Sequence, residues 1–166
     1  MLLAASAYEV VLAIHIMAVV VTFGVTFAYP IVFAVGARQD PRSLPLLHRI
    51  EYTITRWMTN PGLLFVLLAG IYLASDGHHW SEFFVQWGVA VVVLIGGLLG
   101  SVMMPTSKRA EQLALRDLGP GERGDSPSAQ VEMSAEYRAL TRRLATVGTL
   151  LSGLVLVTIL FMVVKP

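Results

Sequence analysis

Four long apolar stretches dominate this chain of 166 residues and limit what it can fold into. They cover residues 10–35, 56–75, 83–105 and 144–164. A membrane-spanning helix needs about 20 mostly apolar residues, because the hydrocarbon layer is about 30 Å thick and each helical residue rises about 1.5 Å. Each stretch meets this requirement. The sequence therefore predicts an all-α fold: a four-helix transmembrane bundle that forms a single membrane domain over residues 1–166.

The distribution of basic residues predicts the orientation of the bundle. Lys and Arg concentrate in segments 36–55 and 106–143, whereas segment 74–82 contains Asp76 and Glu82 and no Lys or Arg. Basic loops stay on the cytoplasmic side of a membrane. We therefore expect a multi-pass protein of a bacterial-type cytoplasmic (plasma) membrane with both termini outside. Because the basic residues flank spans and do not form a domain of their own, nucleic-acid binding is not expected.

The segments between the spans have helical patterns of their own. Residues 44–58 alternate apolar and charged residues at helical spacing, which predicts a helix along the inner membrane surface that leads into the second span. Residues 106–143 predict a cytoplasmic helical hairpin, broken by glycine and proline at 119–126. Pro30 and Pro61 predict kinks or ends in the first two spans.

One histidine lies within the first span. His15 is the only ionisable side chain well inside any of the four stretches, about 10 Å from the outer end of its helix. Tyr8, Thr22 and Tyr29 recur with it every seven positions, so the four side chains form a polar stripe that should face the other helices. Three roles stay open for His15: a haem or metal ligand, a proton carrier, and a hydrogen bond between helices.

A second candidate site lies on the outer loop. His78 and His79 stand beside Asp76 and Glu82, and imidazole with carboxylate is a donor set for a divalent metal such as copper. Adjacent histidines on a short loop turn toward one ion with difficulty, which weakens this interpretation. The chain has no cysteine, so thiolate sites, disulfides and covalent haem attachment are excluded.

Small residues mark the third and fourth spans. Gly96 and Gly100, and likewise Gly148 and Ser152, are spaced four apart, as in helices whose backbones approach closely. These faces suit packing within the bundle, room for a flat cofactor, or contact with a membrane-protein partner or a second copy of the chain.

Several short segments, in order along nearly the whole chain, resemble one superfamily of small four-helix membrane proteins. It includes the HemJ-type protoporphyrinogen oxidases, the CopD-like copper-resistance domains and uncharacterised members of about this length, to which the chain is closest. The resemblance is carried by the histidine-centred run at 14–20 with Gly24, by Tyr29-Pro30, by 58–61 with 69–73, and by the ending at 163–166.

The resemblance implies a cofactor and a ligand. In the oxidases the first-span histidine binds haem b, so His15 is the expected haem-iron ligand. Haem propionates need cations, and Lys165 is the only Lys or Arg available near the outer face. The chain departs from the oxidases where they have an arginine after the first-span proline (here Ile31), a lysine at the start of the third span (Gln86 and Trp87) and polar residues early in the fourth (Val147 and Gly148). These departures argue against oxidase activity.

Three functions follow from these patterns. The first is a haem-b-binding membrane protein in a redox or haem-related role, with His15 as ligand and Tyr8, Thr22, Tyr29 and Lys165 around the cofactor. The second is a cofactor-free membrane scaffold or partner subunit that acts through its small-residue faces. The third is copper handling at the outer face through His78 and His79.

Overall fold

A computed structural model describes residues 6–119 and 133–165, and the regular structure in these ranges is helical throughout. Short 3-10 or π-helical turns connect several of the helices. The helices are α1 (Ala7–Gly24), α2 (Tyr29–Gln39), α3 (Leu44–Ile54), α4 (Asn60–Asp76), α5 (Phe83–Leu98), α6 (Met104–Leu118) and α7 (Ala135–Val164).

Joined end to end, these helices form four long helices that are apolar enough and long enough to cross a membrane: Ala7–Gln39, Pro41–Asp76, Phe83–Leu118 and Ala135–Val164. They contain 30 to 36 residues each, so at about 1.5 Å per residue they measure about 45 to 54 Å and are longer than the hydrocarbon layer is thick. Their outer surfaces are apolar: Val20 is 64% exposed and Val163 is 74% exposed. The prediction of an all-helical chain with four apolar helices is confirmed.

The bundle packs as two layers along its length. In one layer α1 contacts α4, α4 contacts α5, and α5 contacts α7. In the other, α2 contacts α3, α3 contacts α6, and α6 contacts the beginning of α7. We call this second layer the basic end, because Arg38, Arg49, Arg109 and Arg116 lie on its helices. The first and fourth long helices meet at the 3-10 turn Val25–Phe27.

Each layer has its own apolar core. The central core contains six buried residues: Phe23, Leu63, Val91, Ile95, Leu99 and Val155. The core of the basic end contains six others: Leu44, Ala110, Leu113, Ala114, Tyr137 and Leu144. Met103 packs against both cores and marks the level at which they meet.

The segment 44–58 is helical and leads into the second span as predicted, and its placement along the membrane surface stays a prediction. Its first part is α3, whose apolar face is buried against α6, with Leu44 only 5% exposed. The physical reason is that α6 extends well beyond the predicted third span and offers Ala110 and Leu113 as an apolar surface. The helix therefore buries its apolar face against protein.

The arms of the predicted hairpin at 106–143 are helical and paired. Arg109 Nη2 donates a hydrogen bond of 2.7 Å to Glu136 Oε1, and Arg116 Nη1 lies 3.7 Å from Glu136 Oε2. Most of the predicted tip, at 120–126, lies outside the described residues. The placement of this hairpin in the cytoplasm stays a prediction.

Candidate functional site

A cleft of about 440 Å³ lies between the first and fourth long helices, at the level where the two cores meet. Its inner end is apolar and is lined by Phe23, Ile95 and Val155. Its mouth is marked by residues that both line the cleft and are exposed, Ala34 on α2 and Ala145 on α7. The cleft therefore opens sideways between two helices.

One wall of the cleft comes from α3 and is polar. His48 and Glu51 are three residues apart, so both project from the same face of the helix. This face packs against α6, which leaves His48 only 2% exposed and Glu51 only 8% exposed. Burial of an ionisable pair is costly unless hydrogen bonds compensate for the lost water.

A hydrogen-bond network connects this wall to two other helices. Ser107 Oγ of α6 donates to Glu51 Oε2 at 2.9 Å, and His48 Nδ1 lies 3.5 Å from the same oxygen. On the far side of the ring, His48 Nε2 lies 3.0 Å from Tyr137 Oη. In the tautomer that has its proton on Nδ1, facing Glu51, Nε2 accepts a hydrogen bond from the Tyr137 hydroxyl.

The position of Tyr137 follows from the start of α7. Ser134 caps this helix, since its Oγ accepts a hydrogen bond from the Tyr137 backbone N–H at 3.2 Å. The Ser134 backbone N–H in turn donates to Asp117 Oδ2 of α6 at 2.9 Å. The cap fixes the first turn of α7, so the Tyr137 ring is held in the core of the basic end, where it is 5% exposed.

Polar atoms without a well-formed hydrogen bond concentrate at the cleft. Four buried side-chain atoms of the described residues lack a hydrogen bond of good geometry: His15 Nδ1, Tyr29 Oη, His48 Nδ1 and Thr59 Oγ1. Weaker polar contacts are made by His15 with the Val66 backbone, by Tyr29 with Thr55 and by His48 with Glu51. Three of the four atoms belong to residues that line the cleft, and only His15 does not. Buried polar groups are nearly always paired, so such a concentration marks a place that a polar ligand group would complete.

Helix interruptions surround the cleft. A π-helical turn at Thr55–Thr59 directly precedes α4, and a second at Leu99–Met103 directly precedes α6. In the first long helix, the 3-10 turn Val25–Phe27 precedes α2, which begins at Tyr29. Each interruption contributes to the lining or adjoins it. Pro-interrupted helices in the two halves of a membrane protein commonly mark a binding site.

The predicted stripe of the first span does not converge on one site. Tyr29 lines the cleft, but Thr22 packs against Gly62 of α4 and is 2% exposed. His15 packs against a different residue of α4, because a Cβ atom on Gly70 would lie 3.4 Å from His15 Cε1. Tyr8 is half-buried near the start of α1.

The residues predicted to surround a haem have different neighbours in the structure. The Lys165 ammonium, expected near a haem propionate, lies 5.8 Å from the centre of the Phe84 ring. The cleft, which has the volume for a large ligand, is not lined by His15. Haem ligation by His15 stays a prediction.

The outer loop separates its two histidines. His78 has a left-handed backbone with φ of 55°, and its Nδ1 lies 3.1 Å from the backbone carbonyl oxygen of Asp76. The His79 ring instead packs near Phe84, with 6.2 Å between the ring centres. Over residues 6–119 and 133–165, no three His, Cys, Asp or Glu side chains form a group that could hold a metal ion. Copper binding by this loop stays a prediction.

The predicted small-residue pairs have different surroundings. Gly96 contacts α4, since a Cβ atom there would lie 3.0 Å from Leu63 Cδ2, whereas Gly100 has open space around it. Gly148 and Ser152 line the cleft. Packing within the bundle therefore involves Gly96, and the face that carries Gly100 is free of neighbouring atoms of the described residues. Contact of that face with a partner stays a prediction.

His48, Glu51, Ser107 and Tyr137 are site residues that sequence reasoning missed. A signal for two of them is present, because His48 and Glu51 occupy the apolar stripe of an amphipathic helix that begins at Leu44. No sequence signal connects this stripe to Ser107 or Tyr137, which are 56 and 89 residues from their partners.

Comparisons with known proteins give no relative for this chain. No protein-family model matches it, and neither a curated protein nor a solved structure is similar to it. The resemblance to the HemJ and CopD superfamily is without support from these comparisons and stays a prediction.

Proposed function

We propose that this chain is an integral membrane protein that binds an amphipathic small molecule in the cleft between its first and fourth long helices. The observation that carries the proposal is the concentration of buried polar side chains with spare hydrogen-bonding capacity, Tyr29, His48 and Thr59, in a cleft that is otherwise largely apolar. Ligand sites of this kind are concave and mostly apolar, with a few polar groups that fix the orientation of the ligand.

The chemistry of the lining indicates how such a ligand would lie. Its apolar body would extend toward Ile95 and Val155 of the central core. Its polar head would meet Tyr29 and the buried wall of His48 and Glu51. With the basic end in the cytoplasm, as the basic loops predict, this head would lie in the cytoplasmic half of the protein.

A matched pair of glycine variants tests the proposal. Gly148 lines the cleft, and Gly153 lies on the same helix outside it with no neighbouring atoms within 4 Å. In mild detergent, the full-length chain should bind the neutral fluorophore N-phenyl-1-naphthylamine saturably above the micelle background. Gly148→Phe should weaken this binding at least about tenfold by filling the cleft, and Gly153→Phe should leave it unchanged.

Ser152→Phe, also in the cleft, serves as a second blocking variant, and circular dichroism checks that each variant keeps its helices. Equal binding by the parent and both blocking variants would show that the fluorophore does not use the cleft, and the proposal would fail.

We also propose haem ligation by His15 as a second function, because its Nδ1 atom is buried within an apolar membrane-spanning helix and lacks a hydrogen bond of good geometry. Protein purified from haem-replete cells should then show a Soret absorption band that is lost in His15→Ala and kept in His78→Ala. Colourless parent protein would contradict this proposal and would leave the cleft proposal unaffected, since His15 does not line the cleft.

A further inference from the structure

Glu51 is a buried carboxyl group without a permanent cationic partner among residues 6–119 and 133–165. The basic group within ion-pair distance of it in these ranges is His48, 3.5 Å away, which is charged only when protonated. Ser107 contributes a neutral hydrogen bond. A buried charge is strongly disfavoured unless another charge compensates for it. A bound cation would therefore favour the ionised form of the Glu51 carboxyl group, which is part of the cleft wall.

Aromatic rings share the cleft with this carboxyl group. Tyr29 and Phe33 of α2 and Tyr137 of α7 line it, as does Tyr52 of α3, whose ring already has the Lys108 ammonium 4.6 Å from its centre. The faces of aromatic rings attract cations, and the attraction increases when the cation has been stripped of water. The apolar inner end disfavours a small hydrated ion, because nothing there replaces its water shell. An organic cation with an apolar body suits both parts of the cleft.

Arg142 also lines the cleft, and its charge has the opposite sign. Its side chain is exposed, however, whereas Glu51 is 8% exposed. Solvent and salt screen an exposed charge within about 8 Å at physiological ionic strength, but a buried charge is screened much less. Glu51 therefore determines the sign of the ligand that the cleft prefers.

From this geometry we propose that the cleft binds lipophilic organic monocations, with the positive charge beside Glu51 and the apolar body toward the central core. This inference rests on the proposed function, since it identifies the chemical class of the ligand that the same cleft binds.

Binding of radiolabelled tetraphenylphosphonium to the full-length chain in mild detergent tests the inference. Glu51→Gln removes the charge, while its amide oxygen still accepts the hydrogen bond from Ser107. This variant should bind tetraphenylphosphonium at least about tenfold more weakly than the parent. Glu82→Gln, a carboxylate in the outer loop and away from the cleft, should bind like the parent. Arg142→Gln should bind equally or more tightly.

Neutral N-phenyl-1-naphthylamine separates the two proposals. If it binds and Glu51→Gln retains this binding, the cleft is intact in the variant, and an unchanged affinity for tetraphenylphosphonium would overturn the inference alone. Displacement of the fluorophore by oleate but not by tetraphenylphosphonium, together with weaker displacement by oleate in Arg142→Gln, would indicate an anion site and would also overturn it. If the neutral fluorophore does not bind the parent, the proposed function itself fails.

Discussion

At the scale of single residues, His48 connects the polar wall of the cleft to the start of the last helix. Its ring has Tyr137 on one side, Glu51 on the other and Phe33 at 4.7 Å between ring centres. Each contact comes from a different part of the chain, so one imidazole connects α2, α3 and α7. Because the ring is 2% exposed, water cannot replace a contact that is lost.

Removal of the Tyr137 hydroxyl is the first test at this scale. Tyr137→Phe should reduce the free energy of unfolding in mild detergent by about 1 kcal/mol, because His48 Nε2 would remain buried without a donor. Tyr72→Phe is the matched control, since Tyr72 is 42% exposed, and its loss should stay below about 0.5 kcal/mol. Equal losses in the two variants would show that the bond to His48 contributes no net stability.

Single residues also show where sequence reasoning reached its limit. His15 is prominent in the sequence because it interrupts an apolar run, yet it contacts the backbone of α4 near Gly70 and lies outside the cleft. Glu51 lies among charged residues in the sequence and is buried in the structure. The local sequence shows only that the neighbours of Glu51 along the chain are polar. Its burial depends on α6, which follows about 50 residues later.

At the scale of helical elements, proline explains the π-helical turns. The turn Leu99–Met103 ends with a hydrogen bond from the Met104 N–H to the Leu99 carbonyl oxygen, five residues back, and Pro105 follows at once. In a regular helix the proline ring would collide with the carbonyl group four residues before it. A wider turn relieves the collision, and it places Leu99 and Met103 along the cleft.

Replacement of this proline should therefore reshape the cleft. Pro105→Ala allows the turn to close into a regular α-helix, which should weaken binding of N-phenyl-1-naphthylamine several-fold while the melting temperature stays equal or rises. Pro41→Ala, in the 3-10 turn before α3, is the control and should leave probe binding unchanged. If Pro105→Ala binds the probe as tightly as the parent does, the turn does not set the shape of the cleft.

The helices that contain the longest apolar stretches were predicted most accurately from the sequence. Among the described residues, the four apolar helices were correct in number and kind, and the helices predicted at 44–58 and in the arms of 106–143 are continuous with them or begin the last one. These extensions are amphipathic, and they stay helical because they bury apolar faces against one another in the core of the basic end. Periodicity detected the helices but could not identify which surface each one covers.

At the scale of the whole molecule, the two ends of the bundle differ in their content of basic residues. The end formed by α2, α3, α6 and the start of α7 has many Lys and Arg residues, whereas the 77–82 connection at the opposite end has none. In membrane proteins, the loops on the cytoplasmic side contain more Lys and Arg than the loops on the other side. The same difference is expected here if the basic end is cytoplasmic.

The orientation can be tested with single cysteines, because the natural chain contains none. Ser81→Cys, in the connection at the opposite end, should react with a membrane-impermeant maleimide in intact bacterial cells. Gln39→Cys, at the end of α2, should react only after the cells are permeabilised. Both side chains are exposed, so a reversed labelling pattern would indicate the reversed orientation.

With its sideways mouth, between Ala34 and Ala145, facing lipid, the cleft would take up the proposed ligand from the membrane. A molecule that dissolves in a membrane leaflet becomes far more concentrated there than in the surrounding water. The occupancy of the cleft would then depend on the mole fraction of ligand in the lipid. Half-saturation should follow the amount of ligand per lipid, so dilution with empty vesicles should release the ligand even when its total concentration in the sample is held constant.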